Sequence, residues 1–548
     1  MSTRYLTDVL IIGGGYAGLL AALEARKKGV EVLILEKAYA GNSGCAKFAA
    51  GDMQCFIPGE DDLSQWVENG LNNGCFLNDP RWLSRNYPLS YEIILKLQEL
   101  GLPFIKDEKG KLIRKTGRGN TKSVLIDISQ SLSLLRKLCI NSGIRILDRT
   151  SAIDLYVEDN TVKGVIGFAI RRNEIIFVEC KCAIITSGGC SYKGPYFGMD
   201  MATGDGVAMG YRVGCFLANM EFGVKYQSTC KDFDVYGMNR FASLGGIFRN
   251  KFGERFMARY DPVLKDSSSL DILIRAMVTE VNEGRGPIFF DLTGLSKEGR
   301  EVTAKLLKPL LEAMETSNVN LFDKPLEWIP AFTGTVGATS AGLWIDNNYR
   351  TSVNNLFAAG DAASKACFLG AGIGAGGAPL MFASISGFIT GSQAGEKAKT
   401  LRGSKEVSCK DIERQCKSVT LPLNRKAGID PDELTYELQK IMFRTEVNLI
   451  KEAARLKRAL QGIREIKEKL NFMVAKSSHD LMKVYEVINM VTLAELTVAC
   501  SLERKESRGG HYREDFPKRD DSNWLKRILI KSDKESYKID YEYISKVD

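Results

Sequence analysis

Three glycines near the start of the chain have the spacing that brings a backbone close to a phosphate. Residues Asp8 to Lys37 read DVLIIGGGYAGLLAALEARKKGVEVLILEK, with Gly13, Gly15 and Gly18 in a G-x-G-x-x-G frame. An apolar run, Val9 to Ile12, enters the cluster, and a second one, Val32 to Leu35, ends at Glu36. In such a βαβ unit the first glycine makes the tight turn and the second admits a pyrophosphate. The third lets helix and strand pack closely. The helix N-terminus adds unpaired N–H groups and the positive end of its dipole. Glu36, about twenty residues past the glycines, can accept both hydroxyls of a ribose. A Rossmann-like turn without a nucleotide is the bland alternative, but strand, helix and acid together favour a dinucleotide.

Other residue types narrow the chemistry. The chain has two histidines, His479 and His511, so a three-histidine zinc centre is excluded. Its thirteen cysteines include no Cys-x-x-Cys pair, and Cys180 and Cys182 leave one face of a strand. Scattered cysteines of this kind read as reduced thiols in a cytoplasmic protein. The 75 Lys and Arg against 67 Asp and Glu give +8, a mild basic lean that does not call for nucleic acid.

These groups need elements to hold them. With 548 residues, 44% hydrophobic and 26% charged, the chain reads as a globular protein, and its length gives roughly three to four structural units. The N-terminus, MSTRYLTDVL, runs directly into a strand with no leader pattern. The apolar stretch from Gly370 to Gly391 is rich in Gly, Ala and Ser, which suits a packed helix beside a cofactor better than a membrane span. Leu449, Ala453, Leu456, Leu460, Ile463 and Leu470 recur at helical spacing among charged residues. That pattern reads as a bundle helix with a solvated basic face, or as a docking face.

A further apolar strand, NNLFAAGDAA, ends at Gly360 and Asp361. A flavin dinucleotide needs such distant anchors because its ring lies far from the adenosine. Here the sequence resembles flavoproteins with two dinucleotide-binding domains, in which the Gly-Asp pair contacts the ribityl-pyrophosphate portion, and FAD is the expected cofactor. KFGERFMARYDPVLKD, EVNEGRGPIFFDLT, ATGDGVAMGYRVG and ESRGGHYREDFPKRDDSNW then narrow the likeness. They resemble the succinate dehydrogenase/fumarate reductase flavoprotein superfamily, which includes L-aspartate oxidase and the adenylylsulfate reductase alpha subunit. The resemblance implies an α/β fold: a Rossmann-like FAD-binding domain, an inserted α+β capping domain and a C-terminal helical domain. The expected boundaries are 1–230 and 346–405 for the FAD-binding parts, 231–345 for the cap and 406–548 for the helical domain. It also implies FAD contacts along Gly13, Gly15, Tyr16, Ala17, Gly18, Glu36, Lys37, Ser43, Gly44, Gly51, Ala152, Ser187, Gly188, Gly189, Asp205, Gly360, Asp361, Gly376, Gly377 and Leu380. His511, within ESRGGHYR, is expected to be structural, and His479 to lie at a surface or interface.

The chain departs from the dicarboxylate-handling members where they place basic groups. The proton-delivering arginine falls on Leu270, and one substrate histidine falls near Tyr226 or Gln227. Another histidine falls before GTVGATSAGLWID, at Ala331 to Thr333, and a clamping arginine falls on Gly374. Two carboxylates in a dry site need cationic partners, so succinate, fumarate and aspartate are poor substrates. Ser43-Gly44-Cys45 replaces the histidine loop that carries covalent flavin, so FAD is expected to be non-covalent, with a cysteinyl-flavin at Cys45 as the alternative. GLWID and YRTSVNNLFAAGD are nearer to adenylylsulfate reductase, although that subfamily's histidine is missing from VKYQSTCKD.

The expected catalytic residues are Lys225, Tyr226, Glu254 and Arg255, the last two as remnants of a proton relay or as a capping-domain salt bridge. Lys365 and Cys367 are polar handles near the flavin, Cys367 as an activated or a packed thiol. Two function classes follow. One is an FAD-dependent oxidoreductase subunit passing electrons to a ferredoxin-like iron–sulfur protein, its substrate an enoate or acyl thioester. The other is an electron-transfer or assembly subunit of a larger redox complex with no substrate of its own.

Overall fold

The computed structural model describes residues 3–49, 51–116, 122–196, 198–234, 242, 245–337, 339–373, 376–401, 409–534 and 536–544. Gly374, where the clamping arginine would fall, lies outside them. The β-branched run at the N-terminus forms β1 (Thr3–Ile12), the small-residue segment forms α1 (Tyr16–Lys27), and β2 (Val32–Leu35) follows. β1 pairs in parallel with β2, Val9 opposite Val32, and on its other side with Glu174–Ile185, Ile12 opposite Ile185. Arg145–Leu147 extends the sheet beyond β2, and Leu356–Ala358 runs parallel to the end of Glu174–Ile185. The antiparallel strands Thr161–Ala169 and Thr150–Glu158 complete it. The parallel strands therefore deliver Gly13, Glu36, Thr186 and Ala359 to one edge, the carboxyl edge where ligands bind in open α/β sheets.

The Gly-Ala-Ser stretch becomes part of the helix Ala378–Thr400, packed on α1 as its composition suggests. Its glycines mark the contact. A Cβ on Gly387 would stand 2.7 Å from the Ala17 carbonyl, and one on Gly391 would stand 2.2 Å from that of Ala21. Gly395 is the next in this row, with the Ala25 carbonyl 3.1 Å away. A glycine every fourth residue thus lets two helix backbones touch.

The capping sheet runs Tyr226–Cys230, Leu326–Phe332, Phe289–Asp291, Ile247–Arg249. Its first strand pairs Tyr226 with Phe332 and Gln227 with Ala331, so this sheet starts at Tyr226, five residues ahead of the expected 231 boundary. The C-terminal region contains the helices Pro431–Met442, Ala453–Lys469 and Ser478–Glu503. Leu456, Leu460 and Ile463 are buried as the spacing requires, while Leu449 precedes the helix and Leu470 follows it. Ser478–Glu503 is long and apolar enough to cross a membrane, but 83% of its apolar window is buried inside the fold. The region is not wholly helical. Lys526–Asp533 and Ser536–Tyr543 form a hairpin that pairs with Leu217–Ala218 of the FAD-binding part. The alternation of this hairpin is blurred by its many charged residues, which hides it in the sequence.

The segment around ESRGGHYR ties the C-terminal region to the FAD-binding part through buried charges. Arg504 pairs with Glu221 at 2.8 Å and with Glu506 at 2.8 Å, and Arg508 pairs with Glu506 at 2.7 Å. His511 is fully buried, its Nδ1 3.0 Å from the Lys451 Nζ. Burial, reinforced by Lys451, Arg504 and Arg513, holds its pKa well below the usual histidine range, so it is a neutral structural group as expected. Gly509 and Gly510 lie against residues 371–373: a Cβ on Gly509 would meet the Ala371 carbonyl at 2.1 Å.

Candidate active site

A cavity of about 1930 Å³ follows the carboxyl edge of the large sheet. At the β1–β2 end the three frame glycines do three different jobs. Gly13 has φ +108°, and a Cβ there would strike the Thr186 carbonyl at 2.6 Å. Gly18 is too close to the Gly13 carbonyl, 2.0 Å from an added Cβ, and so packs the helix without lining the cavity. Gly15 meets nothing within 4 Å: its missing side chain leaves open space at the N-terminus of α1, where a pyrophosphate needs it.

Glu36 also holds the loop that frames this end. Its carboxylate accepts from the Gly14 N–H at 2.7 Å, the Ala38 N–H at 2.8 Å and the Ser43 hydroxyl at 3.1 Å. An ionised carboxylate has about four acceptor sites, so ribose hydroxyls can still be served. Lys37 lies between Asp205 at 2.8 Å and Glu486 at 2.7 Å. Burial alone works against the charge on Lys37, but the two acids outweigh it and raise its pKa. Burial would likewise raise Asp205, and Lys37 beside it brings the carboxyl below its ordinary value.

The wall continues through Tyr16, Ala17, Ala152, Ser187, Gly188 and Gly189 to Gly360 and Asp361. Ser43 and Gly44 follow beside Glu36, and Gly51, Gly376, Gly377 and Leu380 line the wall further along. A Cβ on Gly377 would strike the Gln54 N–H nitrogen at 2.6 Å, and this glycine caps the helix Ala378–Thr400, whose N-terminus faces the cavity. Asp361 is held by Lys365 at 2.9 Å, and the Lys365 ammonium also donates to the Gly337 carbonyl at 2.7 Å. This set fits FAD: a phosphate-sized gap at Gly15, an acid for the ribose, and a glycine-lined seat far from both. Every residue expected to contact the cofactor lines the cavity except Gly18.

The expected catalytic residues are not gathered there. Lys225 and Gln227 line the cavity, but Tyr226, between them on the strand, faces the other way and packs on Phe332 at 5.3 Å. Strand alternation decides this. Glu254 and Arg255 are at the capping-domain surface, outside the cavity. Glu254 accepts from Asn250 at 2.8 Å, and Arg255 pairs with Asp266. The salt-bridge reading fits them, and their position does not support catalysis. Cys367 is a packed thiol, its pKa raised by burial and not lowered. His479, expected at a surface or interface, is exposed but lines the cavity at the start of the helix Ser478–Glu503. Met482 and Glu486 of that helix line it too, and the sequence reading missed them. The available signal was Glu486, an acid set among the apolar residues Val484, Val487 and Ile488 of that helix.

Comparison with known proteins agrees with this geometry. A model of the FAD binding domain matches residues 8–377, and one of the fumarate reductase flavoprotein C-terminal region matches residues 435–547. An uncharacterised FAD-dependent oxidoreductase of Methanocaldococcus jannaschii is 30% identical, with 98% of each chain covered. A fumarate reductase (CoM/CoB) subunit of Methanothermobacter marburgensis is 30% identical, covering 96% of this chain and 98% of its own. Among solved structures, E. coli quinol fumarate reductase FrdA superposes with a TM-score of 0.90 at 21% identity, covering 100% of this chain and 98% of its own. Adenylylsulfate reductase of Archaeoglobus fulgidus gives 0.81 at 22% identity, covering 100% and 97%.

Proposed function

The chain belongs to the succinate dehydrogenase/fumarate reductase flavoprotein family and is an FAD-dependent oxidoreductase. From that premise we propose that it acts on a substrate other than a dicarboxylate and exchanges electrons with a separate iron–sulfur protein. One observation carries the substrate reading. Among the described residues, the cap lines the cavity with Leu264, Ser267, Leu270, Gln227, Thr333 and one cation, Lys225. A second carboxylate placed against the buried Leu270 would be desolvated without a partner, which is costly.

When bound, FAD supplies hydride exchange at its N5 atom. The protein's residues do the rest. The glycine turn and Glu36 hold the adenosine half. Lys365 fixes Asp361 beside the Gly360 turn, and the Gly376-Gly377 turn seats the far end. The buried Leu270 keeps its part of the wall apolar. Burial pushes the Cys45 thiol up to about 12, which keeps thiolate scarce at neutral pH and favours non-covalent FAD. The relatives named as subunits support a separate electron partner, and the chain's net charge of +8 favours an acidic, ferredoxin-like one.

The test is reoxidation. Photoreduced protein mixed with enoates, acyl thioesters, fumarate and adenylylsulfate should return to the oxidised flavin spectrum with an enoate or thioester. Faster reoxidation by fumarate overturns the substrate reading. No reoxidation by any compound, with rapid reoxidation by an iron–sulfur protein, leaves an electron-transfer subunit instead. Denaturation followed by mass spectrometry should release all the flavin; a flavin mass retained on the Cys45 peptide refutes non-covalent binding.

A further inference from the structure

Lys225 stands out among the lysines that line the cavity. Lys37 is held by Asp205 and Glu486, Lys193 by Glu486 at 2.9 Å, and Lys115 by Asp52. Among the described residues the Lys225 ammonium has neither a carboxylate partner nor a hydrogen bond. Its backbone is firmly placed: the Lys225 N–H donates to the Gly334 carbonyl at 3.0 Å, and its carbonyl accepts from the Thr333 N–H at 2.9 Å. The acid nearest to it in charge is Asp361, and Asp361 is engaged by Lys365 at 2.9 Å. Burial lowers the Lys225 pKa, as it does for an ammonium with no counter-ion of its own.

A fixed, partly buried and uncompensated cation in a cavity wall is a seat for an anion. Gln227, two residues on along the same face of the strand, and Thr333 place neutral polar groups beside it, while Leu264, Ser267 and Leu270 line the same cavity from the cap. Resting on the non-dicarboxylate reading above, we propose that Lys225 anchors the single carboxylate of a monocarboxylate substrate whose hydrocarbon part lies against Leu264 and Leu270. An unsaturated monocarboxylate of the 2-enoate type has this shape and charge.

The holoprotein should be titrated with crotonate, methyl crotonate and fumarate while the perturbation of the oxidised flavin absorbance is followed, a reading that needs no turnover. Crotonate should bind at least tenfold more weakly to Lys225→Met, the loss expected for one charge-assisted contact. Methyl crotonate should be unaffected, and fumarate should bind more weakly than crotonate to the unaltered protein. Lys225→Arg should restore crotonate binding, and flavin content measured on each variant separates lost anion binding from lost cofactor. Equal crotonate affinity in Lys225→Met, tighter fumarate binding or no crotonate binding at all overturns the proposal. If reoxidation fails for every compound yet crotonate binding still follows residue 225, the anion seat stands and the enzymatic reading alone falls.

Discussion

Gly15 and Gly18, three residues apart in one motif, should respond to the same substitution in opposite ways. Gly15 faces open space at φ −76°, an ordinary backbone value, so Gly15→Val should fold, with an apo-protein melting temperature close to that of the unaltered apo-protein. Its flavin-to-protein absorbance ratio should fall to near zero because the side chain fills the pyrophosphate gap. Gly18→Val puts a methyl-bearing carbon 2.0 Å from a backbone carbonyl and should not accumulate as folded protein. A yellow Gly15→Val protein, or a stable Gly18→Val protein, contradicts these assignments. Such residues were legible because their roles are local: turn, helix start and terminal acid lie within thirty positions. Lys225 was legible as a candidate, but its isolation was not, since that depends on Lys365 capturing Asp361 far along the chain. Tyr226 was misjudged for the related reason that the start of its strand fixes which of two neighbours faces the cavity.

The two packed helices carry a second prediction. α1 and Ala378–Thr400 approach through Gly387, Gly391 and Gly395, and an added side chain at Gly391 meets the Ala21 carbonyl at 2.2 Å. Gly391→Val should therefore cost about 1–3 kcal/mol by overpacking, seen as a lower denaturant midpoint with an unchanged slope. An unchanged midpoint would show that the helices can part without penalty. The small-residue composition made this helix recognisable, but its partner could not be read because the row of carbonyls it touches belongs to a motif more than 350 residues earlier. The C-terminal hairpin was missed for the opposite reason. Its strands pair with each other and with Leu217–Ala218, so a short weak pattern is completed by a remote edge.

Across the whole molecule, the buried charges around ESRGGHYR should set a pH dependence of stability. Burial lowers the Lys451 pKa from 10.5 to about 7. Between those values the unfolded chain binds a proton that the folded one does not, so stability rises with pH. This contribution is complete above pH 10.5 and declines as pH falls to about 7. Unfolding free energies measured across that range should show a steeper rise in the unaltered protein than in Lys451→Met; parallel curves would refute a buried, neutralised lysine. The same segment has a consequence for how the protein is made. The glycine turn that greets the phosphates is synthesised first, but Gly509 and Gly510 brace residues 371–373, immediately before the Gly376-Gly377 seat. On a ribosome, the nascent chain therefore offers one half of a binding site long before the other half can hold its shape. Acquisition of the flavin should therefore wait for that brace to emerge, and a message stopped short of the Gly509 codon should yield a colourless protein, a result the flavin-to-protein absorbance ratio of the truncated product checks.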